Sequence, residues 1–234
     1  MDIEIFSDVA CPWCYLGKRR LEQALDRYDG EVTVRWRPYQ LDPGAPAEPT
    51  PLQPALAAKF GGLERVREMN GHLTELGRAA GLDYRFEDAQ HVNTRPAHRL
   101  AWYADREGRG NEVAEGLFRA YFTEGQNMAD PDVLLAVGVA AGLDRAALAA
   151  FLASDEGVAE VDAELDEARA LGITGVPTFV FAGKYAVSGA QDPDTLLDVL
   201  QEVRRRESAS PVLTTLGGES ATGDGACMDD SCAI

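Results

Sequence analysis

The chain has 234 residues, 45% of them hydrophobic, with 39 Asp and Glu against 22 Lys and Arg, for a formal charge of −17. That length suits one large domain or one domain carrying an insertion. So acidic a chain repels nucleic acid and anionic membrane, and no run reaches the roughly 20 apolar residues of a membrane span, so neither partner is expected.

The opening MDIEIFSD carries acids and no basic segment. That argues against a secretory signal and for a cytoplasmic protein. Residues 2–8 alternate and read as a strand. CYLGKRRLEQALDRY, 14–28, sets Leu16, Leu21, Leu25 and Tyr28 at helical spacing. In 31–41, Val32, Val34 and Trp36 alternate with polar neighbours, which predicts a second strand. The proline-rich stretch DPGAPAEPTPLQP, 42–54, breaks regular structure and reads as an exposed linker. From Ala55 to about Leu171 nearly every segment reads helical, and several open on Asp or Asn and close on Gly, as helix caps do. Strand character returns in VPTFVFAGKYAVSG, 176–189, where Gly183 and Lys184 are expected to turn a hairpin. DPDTLLDVLQEVRRRE, 192–207, closes as a helix with arginines in its last turn, where cations suit the macrodipole. Beyond it the chain is small, polar and acidic, and 208–234 reads as a flexible tail.

Strand–helix–strand, a helical block, then strand–strand–helix is the order of an α/β thioredoxin fold with a large helical insertion. Each half supplies strands that need the other's to bury a face. The expected division is 1–41 with 172–207 as the thioredoxin-like domain, 42–171 as the helical insertion and 208–234 as the tail.

The chemistry-bearing motif is SDVACPWCYLG, 7–17. Cys11 and Cys14 stand three apart where a helix begins, so they share a face, with Cβ atoms roughly 5–6 Å apart. That separation suits a disulfide able to open and close. The positive end of the helix and its unpaired N–H groups favour the Cys11 thiolate, which makes Cys11 the expected exposed nucleophile. Cys14, one turn inside, is the expected shielded resolving thiol. Pro12 fits the first helical turn, where its missing N–H costs nothing. A zinc half-site and a static disulfide use the same spacing. The first needs two further ligands, and the second does not persist in a reducing compartment. Strand–CxxC–helix favours redox catalysis without metal or cofactor. In a thioredoxin-like sheet, Pro177 of TGVPTFVF would open a strand beside the cysteines through a cis Val176–Pro177 bond. The Val176 backbone would then be free to pair with an extended substrate.

Together SDVACPWCYLG, NTRPAHRL at 93–100, YFTEGQN at 121–127 and GITGVPTFVF at 172–181 resemble the DsbA-like thiol–disulfide oxidoreductases, most nearly their FrnE-like cytoplasmic branch. The resemblance implies a DsbA-like fold, with Cys11 attacking, Cys14 resolving and Pro177 as the cis-proline. The dipeptide Pro12–Trp13 departs from the Pro-His of the periplasmic oxidants, so their extreme oxidising potential does not transfer. A related branch, the kappa-class glutathione transferases and 2-hydroxychromene-2-carboxylate isomerases, has serine where Cys11 stands, and is the alternative reading. Expected partners are disulfide-containing proteins, with glutathione or a thioredoxin-type reductant to recycle the enzyme, which is a monomer or homodimer.

His98, on a presumed helix, reads as a packed or capping residue rather than a catalytic one. Trp102, Tyr103, Phe118, Tyr121 and Phe122 recur at helical spacing and read as core. The tail carries Cys227 and Cys232, matching a Cys-x4-Cys found in some FrnE-like members. Five residues is about 500° of helix, so the pair closes only in a loop. Asp229 and Asp230 between them disfavour thiolate. From Glu207 to Cys227 a flexible chain reaches roughly 25 Å. The body's radius of gyration is roughly 17 Å, so an auxiliary redox pair there could visit Cys11.

Overall fold

The computed structural model describes residues 1–208. Cys227 and Cys232, the expected auxiliary pair, lie outside them. β1 (Asp2–Ser7) leads through a short loop into α1 (Pro12–Leu25) and β2 (Thr33–Pro38). Next come β3 (Thr50–Pro51), α2 (Leu52–Phe60), α3 (Leu63–Ala79) and β4 (Gln90–His91). Five more helices follow: α4 (Arg95–Arg106), α5 (Gly110–Phe122), α6 (Pro131–Ala140), α7 (Arg145–Leu152) and α8 (Val158–Ala170). β5 (Thr178–Phe181), β6 (Tyr185–Ser188) and α9 (Pro193–Ser208) complete the described chain.

The main sheet runs β2-β1-β5-β6. β1 lies parallel to β2, with Ile5 opposite Trp36, and antiparallel to β5, with Ile5 opposite Phe179. A central strand is covered on both faces, which is why β1 ends in the continuously buried run Ile5-Phe6-Ser7 rather than alternating. The two chain segments thus build one sheet, as their order predicted. A single apolar cluster joins Ile3, Ile5 and Phe179 of that sheet to Phe118, Phe122 and Leu148 of the helical segment. Tyr15 stacks on Phe118 at 5.1 Å, so α1 is held against α5 by aromatic contact. Phe118, Tyr121 and Phe122 are core as expected, whereas Trp102 and Tyr103 are half-buried and pack on Phe151.

Asp130 and Asp144 cap α6 and α7 by accepting from the Asp132 and Ala147 backbone N–H groups, which confirms those predicted starts. Two local expectations are corrected. The proline-rich stretch 42–54 is not irregular throughout. β3 pairs with β4 in a two-residue ladder, Leu52 donates to the Ala89 carbonyl at 3.2 Å, and α2 begins there rather than at Ala55. Pro54 causes no break because the first-turn N–H groups of a helix have no partner to lose. The β5–β6 turn is centred one residue earlier than expected. Ala182 and Gly183 carry positive φ, and Lys184 donates to the Phe181 carbonyl at 3.0 Å.

On the β2 side, buried Arg37 pairs with Glu4 and with Glu164 and Glu167 of α8. Arg35 reaches Glu164 and Asp105. These pairs clamp α8 and the end of α4 to the sheet.

Candidate active site

The β1–α1 loop is built by hydrogen bonds that its own residues supply. Asp8 accepts with its side chain from Ala10 N–H at 3.3 Å and Leu41 N–H at 2.7 Å, and with its carbonyl from Cys11 N–H at 3.0 Å. Cys11 is thereby placed as the N-cap of α1, with extended backbone and Pro12 at the first helical position. Cys14 N–H donates to the Cys11 carbonyl at 3.0 Å. Both cysteines are free thiols, Cys11 at the N-cap and Cys14 in the first turn.

The expectation of an exposed Cys11 is corrected: it is 3% exposed, and Cys14 is 1%. The cause is tertiary packing that no local pattern encodes. The Val176–Pro177 bond is cis, and Cys11 Sγ donates to the Val176 carbonyl at 3.5 Å. On another side Tyr84, from the segment between α3 and β4, donates its hydroxyl to the Pro12 carbonyl at 2.6 Å. Gly77 makes room for that tyrosine, since a Cβ there would strike its ring. Gly17 does the same for the proline loop: a Cβ would stand 3.0 Å from Pro177 Cγ and 3.2 Å from Phe179 Cζ. Trp13, between the cysteines, is 37% exposed, with the His72 ring 6.4 Å away.

Burial pushes the Cys14 thiol well up, and neighbouring Cys11 adds to this. The Ser7 hydroxyl and Asp8 backbone pull weakly the other way. Burial also pushes the Tyr84 hydroxyl up, with Cys11 the next contributor. Cys14 is therefore held protonated until something takes its proton, while Cys11 sits at the positive end of α1. Such an arrangement can form a mixed disulfide at one sulfur and resolve it with the other. Among the described residues no cluster of three or more His, Cys, Asp or Glu gathers to hold a metal.

Cys11, Cys14, Pro12, Val176 and Pro177 thus meet in one place, and Trp13 borders it. Tyr84, Ser7 and Asp8 were not singled out from the sequence. Asp8 and Ser7 stood inside the quoted motif, so their nearness to Cys11 was available; Tyr84, 72 residues from its partner, left no signal. His98 is packed, as expected, but against a charge: its Nε2 lies 3.4 Å from Asp8 Oδ1.

A family profile described as the DSBA-like thioredoxin domain matches residues 2–201. The chain belongs to the DsbA-like thioredoxin family. This DsbA-like chain is similar to a protein described as a probable DsbA oxidoreductase from Streptomyces coelicolor. The two are 34% identical with a TM-score of 0.83, over 98% of this chain and 100% of the other. It shares its fold with a 2-hydroxychromene-2-carboxylate isomerase, at 21% identity and TM-score 0.65 over 89% of this chain and 98% of that one. The cytosolic disulfide reductase DsbM of Pseudomonas aeruginosa, solved with glutathione, shares it too. There the identity is 20% and the TM-score 0.61, over 88% of this chain and 100% of the other.

Proposed function

We propose that this protein is a cytoplasmic thiol–disulfide oxidoreductase or isomerase acting on protein or low-molecular-weight disulfides through Cys11 and Cys14. The observation that carries the reading is Cys11 Sγ against the Val176 carbonyl at the cis-proline, with Cys14 buried one helical step behind. Cys11 thiolate attacks a substrate disulfide, forming a mixed disulfide and releasing one substrate thiol. Cys14 then attacks Cys11 Sγ, closing the Cys11–Cys14 disulfide and releasing the second thiol. Two electrons pass to the substrate, and glutathione or a thioredoxin-type reductant returns them. The Val176 backbone and the Trp13 ring supply an edge and an apolar surface for an extended substrate chain. In this reading the protein falls in the FrnE-like branch and the tail cysteines, Cys227 and Cys232, are a second redox pair fed by Cys11.

The likeness of fold to a 2-hydroxychromene-2-carboxylate isomerase favours one alternative, a glutathione-dependent isomerase or transferase whose thiols do not cycle. Equilibrating the protein in glutathione buffers of graded potential decides between them. The redox reading predicts a single two-electron transition with a Cys11–Cys14 disulfide mapped by peptide mass. No such disulfide at any potential, with glutathione-dependent isomerisation surviving Cys11→Ser, would overturn it.

A further inference from the structure

Three strands of the main sheet open at the same end. Ser7 closes β1 opposite Pro38 of β2, and Phe6 lies opposite Thr178, the first residue of β5. β1 is the middle strand of the three. The loop that carries Cys11 therefore rises between two flanks, Val176 and Pro177 on the β5 side and residues 39–46 on the β2 side. The first flank meets substrate in the function proposed above, and the second has no part in it. Yet the second is fixed to the loop of Cys11 itself. Tyr39 N–H donates to the Ser7 carbonyl at 2.9 Å, and Leu41 N–H donates to the Asp8 carboxylate at 2.7 Å. The Asp8 carbonyl in turn accepts from Cys11 N–H at 3.0 Å. Asp8 is 1% exposed, and a carboxylate so buried is tolerated only where hydrogen bonds satisfy it. Asn93, from the motif NTRPAHRL, holds the rest of the flank. Its Oδ1 accepts from Gln40 Nε2 at 3.1 Å, and its Nδ2 donates to the Pro43 and Ala45 carbonyls at 3.3 and 3.4 Å. Its N–H donates to the Pro46 carbonyl at 2.8 Å.

Surface loops are ordinarily mobile and polar. This one is pinned at both ends and presents Leu41 at 41% exposure. A lone exposed leucine carries no meaning by itself. On a backbone tied to the loop of the nucleophile it is a preorganised apolar contact. Trp13, 37% exposed between the cysteines, adds a second large apolar side chain open to solvent beside the site.

We propose that residues 39–46 form the second wall of the substrate site, and that Leu41 selects extended chains with an apolar side chain close to the reacting cysteine. The proposal rests on Cys11 being the attacking thiol. The substrate chain pairs with the Val176 backbone on one side of Cys11 and buries its apolar side chain against Leu41 on the other. Two strand spacings separate these flanks, roughly 10 Å, which about three residues of extended chain span. The selected side chain therefore lies within three residues of the substrate cysteine. Asp8 and Asn93 act only through the loop, by holding Leu41 where the chain passes.

The test uses the reduced full chain with Cys227 and Cys232 replaced by serine, so that only the N-terminal pair reacts. Its substrates are short peptides whose single cysteine is joined to a coloured aryl thiol. Attack of the Cys11 thiolate on the peptide sulfur forms the Cys11–peptide disulfide, breaks the peptide–aryl bond and releases the aryl thiolate, which is measured. Leucine or asparagine is placed in turn at each of the three positions on either side of the cysteine. At one of these positions leucine should speed the second-order release over asparagine by roughly tenfold, through a lower half-saturating concentration rather than a higher limiting rate. Leu41→Asn should bring that ratio to about one, and Leu41→Met should keep it. A ratio near one at every position in the parent chain overturns the proposal. So does a preference that persists in Leu41→Asn, or a variant that slows all peptides alike, which is what a merely structural Leu41 would do. If the parent chain releases thiolate from none of the peptides, the role of Cys11 falls and this proposal falls with it.

Discussion

Gly17 sits where α1 meets the proline loop, and two opposed effects decide what a methyl group would do there. Alanine in a helix interior gains about 1 kcal/mol over glycine. Against this, the new Cβ would press on Pro177 and on Phe179, which is fully buried and cannot swing away. Overpacking of that kind costs about 1–3 kcal/mol. The second effect wins, so Gly17→Ala should lower stability by about 1 kcal/mol, a Tm loss of about 2–4 °C. Disulfide reduction should fall as the helix backs away from the loop; a rise in Tm with full activity would contradict this contact. Tyr84→Phe removes the hydroxyl on the Pro12 carbonyl and leaves the ring packing. The expected loss is about 1 kcal/mol in urea unfolding, with a changed rate of thiolate alkylation at Cys11. An unaltered alkylation rate would make Tyr84 mere packing. At this scale the sequence was legible where the signal was local. Three-residue spacing put Cys11 and Cys14 on one turn, and the strand-opening proline marked Pro177. Burial of Cys11, and the meeting of His98 with Asp8, depend on partners far along the chain and have no periodicity to betray them.

Among the elements, β2, α4 and α8 are tied by charges, and one of these is held unfavourably. Burial pushes the Asp105 carboxyl up to about 6 even though Arg35 is 3.4 Å away and pulls the other way. Its folded value exceeds the unfolded value of about 3.9, so the folded chain binds the proton more tightly. Stability contributed here is present at low pH and is lost as pH rises from about 4 to about 6. Asp105→Asn should therefore stabilise the protein at pH 7 by about 1–2 kcal/mol, allowing for partial solvent screening, and have little effect at pH 4. Urea midpoints at the two pH values measure it, and an equal shift at both would contradict the assignment. The helices themselves were readable because long amphipathic segments with Asp starts and Gly stops repeat their signal. The β3–β4 ladder was not, since a two-residue strand has no room for alternation.

For the molecule as a whole, the expected order of strands and helices became one sheet because β1 and β5 each lack a covered edge until they meet. That reasoning reached the architecture but not the single apolar cluster joining the sheet to the helical segment, which arises from which helix faces happen to meet. In the proposed cycle the expected tail, residues 208–234, also has a part. A flexible tether of this length would give the tail thiols about millimolar effective concentration at Cys11 in that cycle. Removing the tail should leave the fold and the first attack by Cys11 intact while lowering multiple-turnover isomerase activity. Unchanged turnover would leave the tail cysteines without a part in the cycle.

All of this depends on Cys11 being the sulfur that meets substrate and Cys14 the one that releases it. Mass mapping of the Cys14→Ser variant after reaction with glutathione disulfide tests that most directly. With Cys227 and Cys232 also replaced by serine, one stable glutathione adduct per chain on Cys11 is predicted, together with no adduct on Cys14 when Cys11 is replaced instead. Adducts at either position alike, or disulfide reduction that survives Cys11→Ser, would contradict it.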